Sequence, residues 1–195
     1  YRSKNFDAVS WYAPHLGESL RLIEQLCPDK TAAIVDVGGG ESTLVDDLLH
    51  RHCLDLSVLD ISAAAIDFTK RRLGAKAQQV NWHVGDITRY NFGGKKFDLW
   101  HDRAAFHFQT DISSISKYIE IVNKACSDKI VIGTFSVDGP TKCSGLEIKQ
   151  YEETSLKSEF ENAQFKNIEC KREDHITPSG SVQNFIFCAF EKMAS

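Results

Sequence analysis

The sequence predicts an α/β protein built on a doubly wound, largely parallel sheet. Three observations lead there: strand-length apolar runs alternate with helix-length periodic segments, a triple glycine closes the first run, and the rhythm changes after residue 150. Strands separated by helices need crossovers, so neighbouring strands run parallel and helices cover both faces. At 195 residues the chain is long enough for one well-buried domain and short for two.

Each element follows from its residues. Phe6, Val9, Leu16, Leu20, Ile23 and Leu26 recur at helical spacing, so 3–26 predicts helix, interrupted at Pro14 and stopping before Pro28. Ala32-Ala33-Ile34-Val35-Asp36-Val37 reads as a buried first strand that ends in Gly38-Gly39-Gly40. A helix from about Thr43 to His52 follows, with Ser42 or Thr43 as its cap. Residues 55–60 form the second strand, Ser62 caps the next helix, and Gly74 closes it after Leu73. The third and fourth strands span roughly 80–84 and 97–101, a helix opens near Asp111, and 129–135 is the fifth strand. A short helix at 152–161 then precedes two strand-like segments, 166–176 and 182–191, joined by Thr177-Pro178-Ser179-Gly180-Ser181. So brief a connection cannot join parallel neighbours, which makes this pair an antiparallel hairpin at the sheet edge. The expected architecture is a three-layer doubly wound sheet of five parallel strands plus a C-terminal antiparallel hairpin.

Composition narrows the function classes. Hydrophobic residues at 42% and charged residues at 26% are ordinary for a globular chain and argue against a disordered or fibrous one. A net charge of −4 without a basic stripe argues against a nucleic-acid partner. The densest basic cluster, Lys70-Arg71-Arg72, closes a predicted helix, where cations complement the macrodipole. No apolar run approaches the roughly 20 residues of a membrane span. The cysteines at 27, 53, 126, 143, 170 and 188 show no CxxC pair and no Cys/His ligand spacing. They read as reduced thiols of a cytoplasmic protein without a bound metal. The chain opens at Tyr1 rather than Met, which leaves any upstream targeting segment unread.

Three features converge on one edge of the expected sheet. The glycine turn after strand one lets backbone approach a ligand closely at a helix N-terminus. Asp60 ends strand two, 20 residues after Gly40, where a doubly wound sheet places a carboxylate beside the ribose hydroxyls of an adenosine. Asp86 follows strand three and can accept a hydrogen bond from an adenine amine, with Ile87 against the ring. A nicotinamide dinucleotide is the rival ligand, but its fingerprint asks for Gly or Ala where Thr43 stands, and its turn usually lies nearer the N-terminus.

Over residues 30–191 these motifs resemble the class I, Rossmann-like S-adenosylmethionine-dependent methyltransferases. Asp36-Val37-Gly38-Gly39-Gly40 is similar to the family's first motif, Leu59-Asp60 to the acidic residue after strand two, and Gly85-Asp86 to the adenine-side motif. The resemblance implies S-adenosylmethionine as cofactor and S-adenosylhomocysteine as product. Gly38 and Gly40 would line the methionine moiety with Asp36 nearby, Asp60 would hold the ribose, and Asp86 the adenine; Tyr12, Ile61, Ile87 and His101 complete the expected cofactor set. It also implies one domain over 1–195: an N-terminal helical lid (1–30) carrying Trp11-Tyr12, a cofactor-binding half (31–135), and an acceptor-side loop, helix and closing hairpin (136–195).

The acceptor side falls at the end of strand four, where the family places its nucleophile and where open α/β sheets gather ligand-binding groups. His101, Asp102, Arg103 and His107 cluster there as catalytic candidates. Each has a structural alternative: Asp102 and Arg103 could tie down the following loop, and either histidine could be a satisfied side chain. His101-Asp102-Arg103-Ala104 resembles the Trp-Asp-Arg-Gly segment of thiopurine S-methyltransferases. Trp100-His101-Asp102-Arg103-Ala104, with the loop Asp138-Gly139-Pro140-Thr141-Lys142-Cys143-Ser144-Gly145-Leu146, is similar to a group of small bacterial methyltransferases. That loop follows strand five and offers Lys142, Cys143 and Ser144 to an acceptor pocket. The expected reaction is methyl transfer to a small-molecule nucleophile such as a thiol; a protein acceptor, or cofactor binding without catalysis, is the alternative.

Overall fold

The computed structural model describes residues 10–193. Its main sheet has seven strands: β1 (Ala33–Val37), β2 (Asp55–Asp60), β3 (Val80–Val84), β4 (Phe97–Arg103), β5 (Cys126–Phe135), β8 (Phe165–Ile176) and β9 (Val182–Lys192). They lie in the order β3-β2-β1-β4-β5-β9-β8. The first five are parallel, β9 runs antiparallel to β5, and β8 pairs antiparallel with β9 at the edge. The expected sheet and closing hairpin are therefore present. Five α-helices flank it: α1 (Gly17–Leu26), α2 (Leu44–His50), α3 (Ala63–Leu73), α4 (Ile112–Ala125) and α5 (Glu153–Glu161).

Two buried apolar clusters occupy the two faces of the sheet. One joins α1 and α2 to it through Leu20, Ile23, Leu44, Val45 and Leu48. The other joins α4 and α5 through Ile115, Tyr118, Val122, Leu156 and Phe160. Alternate residues of each strand feed opposite clusters, as a pleated strand buried on both sides requires: Ile34 and Leu99 face α1, while Val35 and Trp100 face α4.

The helix starts obey local chemistry. Ser62 accepts from the Ala65 N–H at 3.2 Å, and Asp111 accepts from the Ser114 N–H at 3.0 Å. Gly74, at φ +57°, closes α3, and the chain continues as a 3₁₀ turn over Gly74–Gln79. Helix α1 is shorter than its periodicity suggests and begins three residues after Pro14; the part of the predicted helix before Ser10 lies outside the described residues. The 138–146 loop also carries a small hairpin, β6 (Lys142–Cys143) with β7 (Leu146–Glu147). Ser144 and Gly145 at its tip have φ +52° and +81°, the left-handed pair that a tight hairpin turn selects.

The reading of all six cysteines as reduced thiols is corrected. Cys170 and Cys188 stand opposite one another across β8 and β9, with Cα atoms 4.2 Å apart, and form a disulfide. Sequence spacing carries no hint of this, because only strand register brings the two together. Cys27, Cys53, Cys126 and Cys143 are free and buried. Alkylation of the denatured, unreduced protein is expected to modify four cysteines, and six after reduction, read by intact mass; six without reduction would remove the disulfide.

Candidate active site

The strand order reverses between the parallel neighbours β1 and β4, which are adjacent although the chain between them builds β2 and β3 on the far side. Crossovers leave in opposite directions here, and a crevice opens at the carboxyl ends of the strands. A cavity of about 700 Å³ fills it, within the range of small-ligand sites.

Its floor is the glycine turn. Gly38 has φ +77°, and a Cβ there would stand 2.7 Å from the Ala105 Cβ. A Cβ on Gly39 would meet Asp36 Oδ2 at 2.2 Å, so backbone rather than side chain lies against this part of the cavity. Gly40 has a different duty. It does not line the cavity; its N–H donates to Asp60 Oδ2 at 2.9 Å, and a Cβ would collide with Asp60 and Ala65. Gly40 thus lets α3 and the end of β2 close on the turn.

Three carboxylates stand along this edge. Asp60 also accepts from the Ser62 N–H at 2.7 Å, so both its oxygens are oriented by backbone while one flank faces the cavity. Burial pushes its carboxyl upward, opposed by the Ser62 and Gly40 hydrogen bonds. Asp86 accepts from the Thr88 N–H and hydroxyl at 2.9 and 2.8 Å, beside Ile87. Asp36 is buried, and its Oδ1 binds His101 Nδ1 at 2.7 Å. Nδ1 donates to that carboxylate, and Nε2 lies 2.9 Å from the Ser19 hydroxyl, so both ring nitrogens are engaged. Ser19 lies on α1 and has no sequence motif to announce it. Asp36 Oδ2 is buried without a hydrogen-bond partner, an acceptor that a ligand donor would satisfy.

The neighbouring candidates on β4 divide by strand parity. His101 and Arg103 line the cavity; Asp102 does not. Asp102 faces α4, where it accepts from Tyr118 O–H at 2.6 Å and from the N–H groups of Ala105 and Phe106 at 2.9 and 3.1 Å. Trp100 completes the chain by donating to Tyr118 Oη at 3.0 Å. Asp102 therefore shapes the turn that follows β4, in which Ala104 is held at φ +69°. Desolvation raises its carboxyl to about 6. His107 is also outside the cavity, buried against Phe108 and Phe135, with neither ring nitrogen bonded. Burial, then the nearby Arg103 charge, depresses it to about 3.

On the far wall the β6–β7 hairpin contributes Cys143, Ser144, Leu146 and Glu147. Lys142 is not among the lining residues; it is exposed and pairs with Glu147 at 2.8 Å. Burial raises the Cys143 thiol, so it stays protonated at neutral pH. Tyr12, Ile61, Asp86 and Ile87 line the cavity as expected of cofactor residues. Trp11, Glu41, Phe108 and Gln109 line it as well; the sequence marked only Trp11, because the others belong to no motif.

Residues 34–127 match a family described as a methyltransferase domain. Among solved structures, the 1,6-didemethyltoxoflavin-N1-methyltransferase of Burkholderia thailandensis, with bound 1,6-didemethyltoxoflavin and S-adenosylhomocysteine, is similar at TM-score 0.72 and 15% identity, over 91% of this chain and 77% of that one. A methyltransferase of Methanosarcina mazei described as S-adenosylmethionine-dependent has TM-score 0.72 and 14% identity, over 89% and 98%. A phosphoethanolamine N-methyltransferase of Haemonchus contortus has TM-score 0.69 and 15% identity, over 92% and 53%. These likenesses establish the class I methyltransferase fold. None of the curated proteins matches the chain. The domain match supports methyl transfer as the activity of this chain, with the carboxylate edge as the place for its cofactor.

His107 makes a testable contribution to the stability of this protein. Its folded value, about 3, lies below the ordinary imidazole value of 6.5, so the unfolded chain binds the proton first on acidification. Its contribution is whole above 6.5 and declines as pH falls towards 3. Asp102 has the opposite sign: with its value raised from 3.8 to about 6, stability declines as pH rises through that interval. His107→Phe is expected to preserve or raise stability at neutral pH, since it removes two unbonded buried nitrogens, and to flatten the acid limb of urea-unfolding free energy. A steeper acid limb, or collapse of the fold at neutral pH, would contradict this.

Proposed function

We propose that the enzyme transfers the methyl group to a small-molecule nucleophile, with thiols the first class to try. The observation that carries this is the continuity of one cavity, from Asp60 and Asp86 at one end to Arg103, Phe108 and Cys143 at the other. Cofactor and acceptor must share about 700 Å³, and the adenosyl cofactor takes the larger part. The segment bearing Trp11 and Tyr12 and the β6–β7 hairpin both border that space, which supports reading 10–16 as part of a lid and leaves little room for a protein acceptor.

When bound, S-adenosylmethionine would supply a methyl group activated by a cationic sulfur for displacement by the acceptor's lone pair. The chain's own work is positional. Asp60 would accept from the ribose hydroxyls, Asp86 from the adenine amine, and Asp36 Oδ2 from the methionine ammonium. His101 holds Asp36 and α1 together; both its ring nitrogens are engaged, so it acts as a positioning residue. Asp102 and His107 act on the reaction through the β4 turn rather than by touching substrate. With both cavity-facing groups of the strand end, His101 and Arg103, engaged among the described residues, the site suits a nucleophile that reacts once aligned, such as a thiolate or neutral amine.

Calorimetry is expected to show saturable binding of S-adenosylmethionine and S-adenosylhomocysteine and none of NAD. Asp60→Ala should weaken both by about 1–3 kcal/mol, because two ribose hydroxyls lose their partner. Unchanged affinity in that variant would withdraw the ribose assignment; NAD binding alone would withdraw the cofactor site.

A further inference from the structure

Arg103 is the one lysine or arginine among the described residues lining the cavity. Its Nη1 donates to the Trp11 carbonyl at 3.1 Å, and its Cζ lies 4.6 Å from the centre of the Phe185 ring. Glu173, Asp36 and Cys143 act on it only at longer range, without a hydrogen bond. Arg21, Arg51 and Arg72 differ: each holds a carboxylate, Glu18, Glu24 and Asp46 respectively. A guanidinium taken from water without a paired anion is costly, and desolvation accordingly pushes Arg103 down to about 10. The fold keeps this cost at the acceptor end of its ligand cavity. Phe185 covers one face of the fork and the Trp11 carbonyl takes Nη1, leaving the Nε–Nη2 edge for a planar, two-oxygen partner.

We infer that Arg103 binds a carboxylate of the methyl acceptor, so that the substrate is a small organic acid whose nucleophile lies elsewhere on the same molecule. The inference rests on the methyl-transfer reading and narrows its substrate class. A monoanion fits better than a phosphate, since this single guanidinium already feels the carboxylates Glu173 and Asp36. Trp11, Phe108 and Leu146 provide apolar walls for the acid's hydrocarbon body. The cofactor's own carboxylate is the competing partner. Arg103 lies two residues beyond His101 on β4, paired with Gly133 of β5 and stacked on β9, displaced from the glycine turn of β1 towards the acceptor side.

The test is calorimetric titration of the S-adenosylhomocysteine-saturated enzyme with matched acids and amides: mercaptoacetate against mercaptoacetamide, and para-aminobenzoate against para-aminobenzamide. The acids are expected to bind at least ~10-fold more tightly, as a bidentate charge-assisted pair implies. Arg103→Gln should abolish that preference while leaving S-adenosylhomocysteine affinity unchanged. Arg103→Lys should keep the preference at lower affinity. Equal binding of acids and amides by the wild type, or no acid binding at millimolar concentration, overturns the proposal whether or not the variants fold. So does a matching loss of S-adenosylhomocysteine affinity in Arg103→Gln, which would assign the guanidinium to the cofactor. Failure of the wild type to bind S-adenosylhomocysteine would instead overturn the underlying methyl-transfer reading.

Discussion

The pairing of β1 with β4 is the constraint on which the site depends. Their register sets Asp36 beside His101 and Val37 beside Asp102, at the point where crossovers part in opposite directions. Because the two strands are held in contact while their connections diverge, the crevice at their ends is a consequence of topology. Glycines are then required where the chain turns back over β1: a side chain at 39 would displace the Asp36 carboxylate, and one at 38 would strike Ala105 of the β4 turn. The carboxylate lining follows from the same edge, since Asp36, Asp60 and Asp86 each stand in or just beyond a parallel strand that ends there. Such a lining favours a cationic ligand over its neutral product.

Strand β4 shows how one segment serves two layers. Trp100 and Asp102 turn towards α4 and join Tyr118 in a buried hydrogen-bonded chain, while His101 and Arg103 turn towards the cavity. The buried half restrains the turn, because Asp102 accepts two backbone N–H groups from it. The cavity half anchors outward: His101 reaches α1 through Ser19, and Arg103 reaches the Trp11 carbonyl. The N-terminal segment is thereby tied to the reaction edge by side chains of a strand far from it in sequence. Removing the Asp102 contacts would loosen the backbone that aims Arg103, although Asp102 itself touches no ligand.

Much of this was legible beforehand, for a definite reason. Strand and helix periodicity, the cap at Ser62, and the brevity of the 177–181 connection are local properties, so the order of elements, the parallel pairing and the closing antiparallel hairpin could be read from them. Asp60 and Asp86 were legible because strand ends on one side of a parallel sheet must share an edge. Clustering in sequence misled at His107, Lys142 and Asp102, where adjacency suggested a common pocket and alternation or loop geometry sent the side chains elsewhere. Ser19 and Phe185 escaped notice because each meets the site from an element that sequence alone does not place.

By itself the sequence determined the doubly wound sheet, the glycine turn and the carboxylates along one edge, since these follow from periodicity and from where parallel strands end. Tertiary structure decided the rest: the Cys170–Cys188 disulfide, the burial of Asp102 and His107, and a burial of Arg103 in which no carboxylate of the described residues hydrogen-bonds to it. Register and packing bring together groups far apart in the chain, and no local pattern encodes the distance between them.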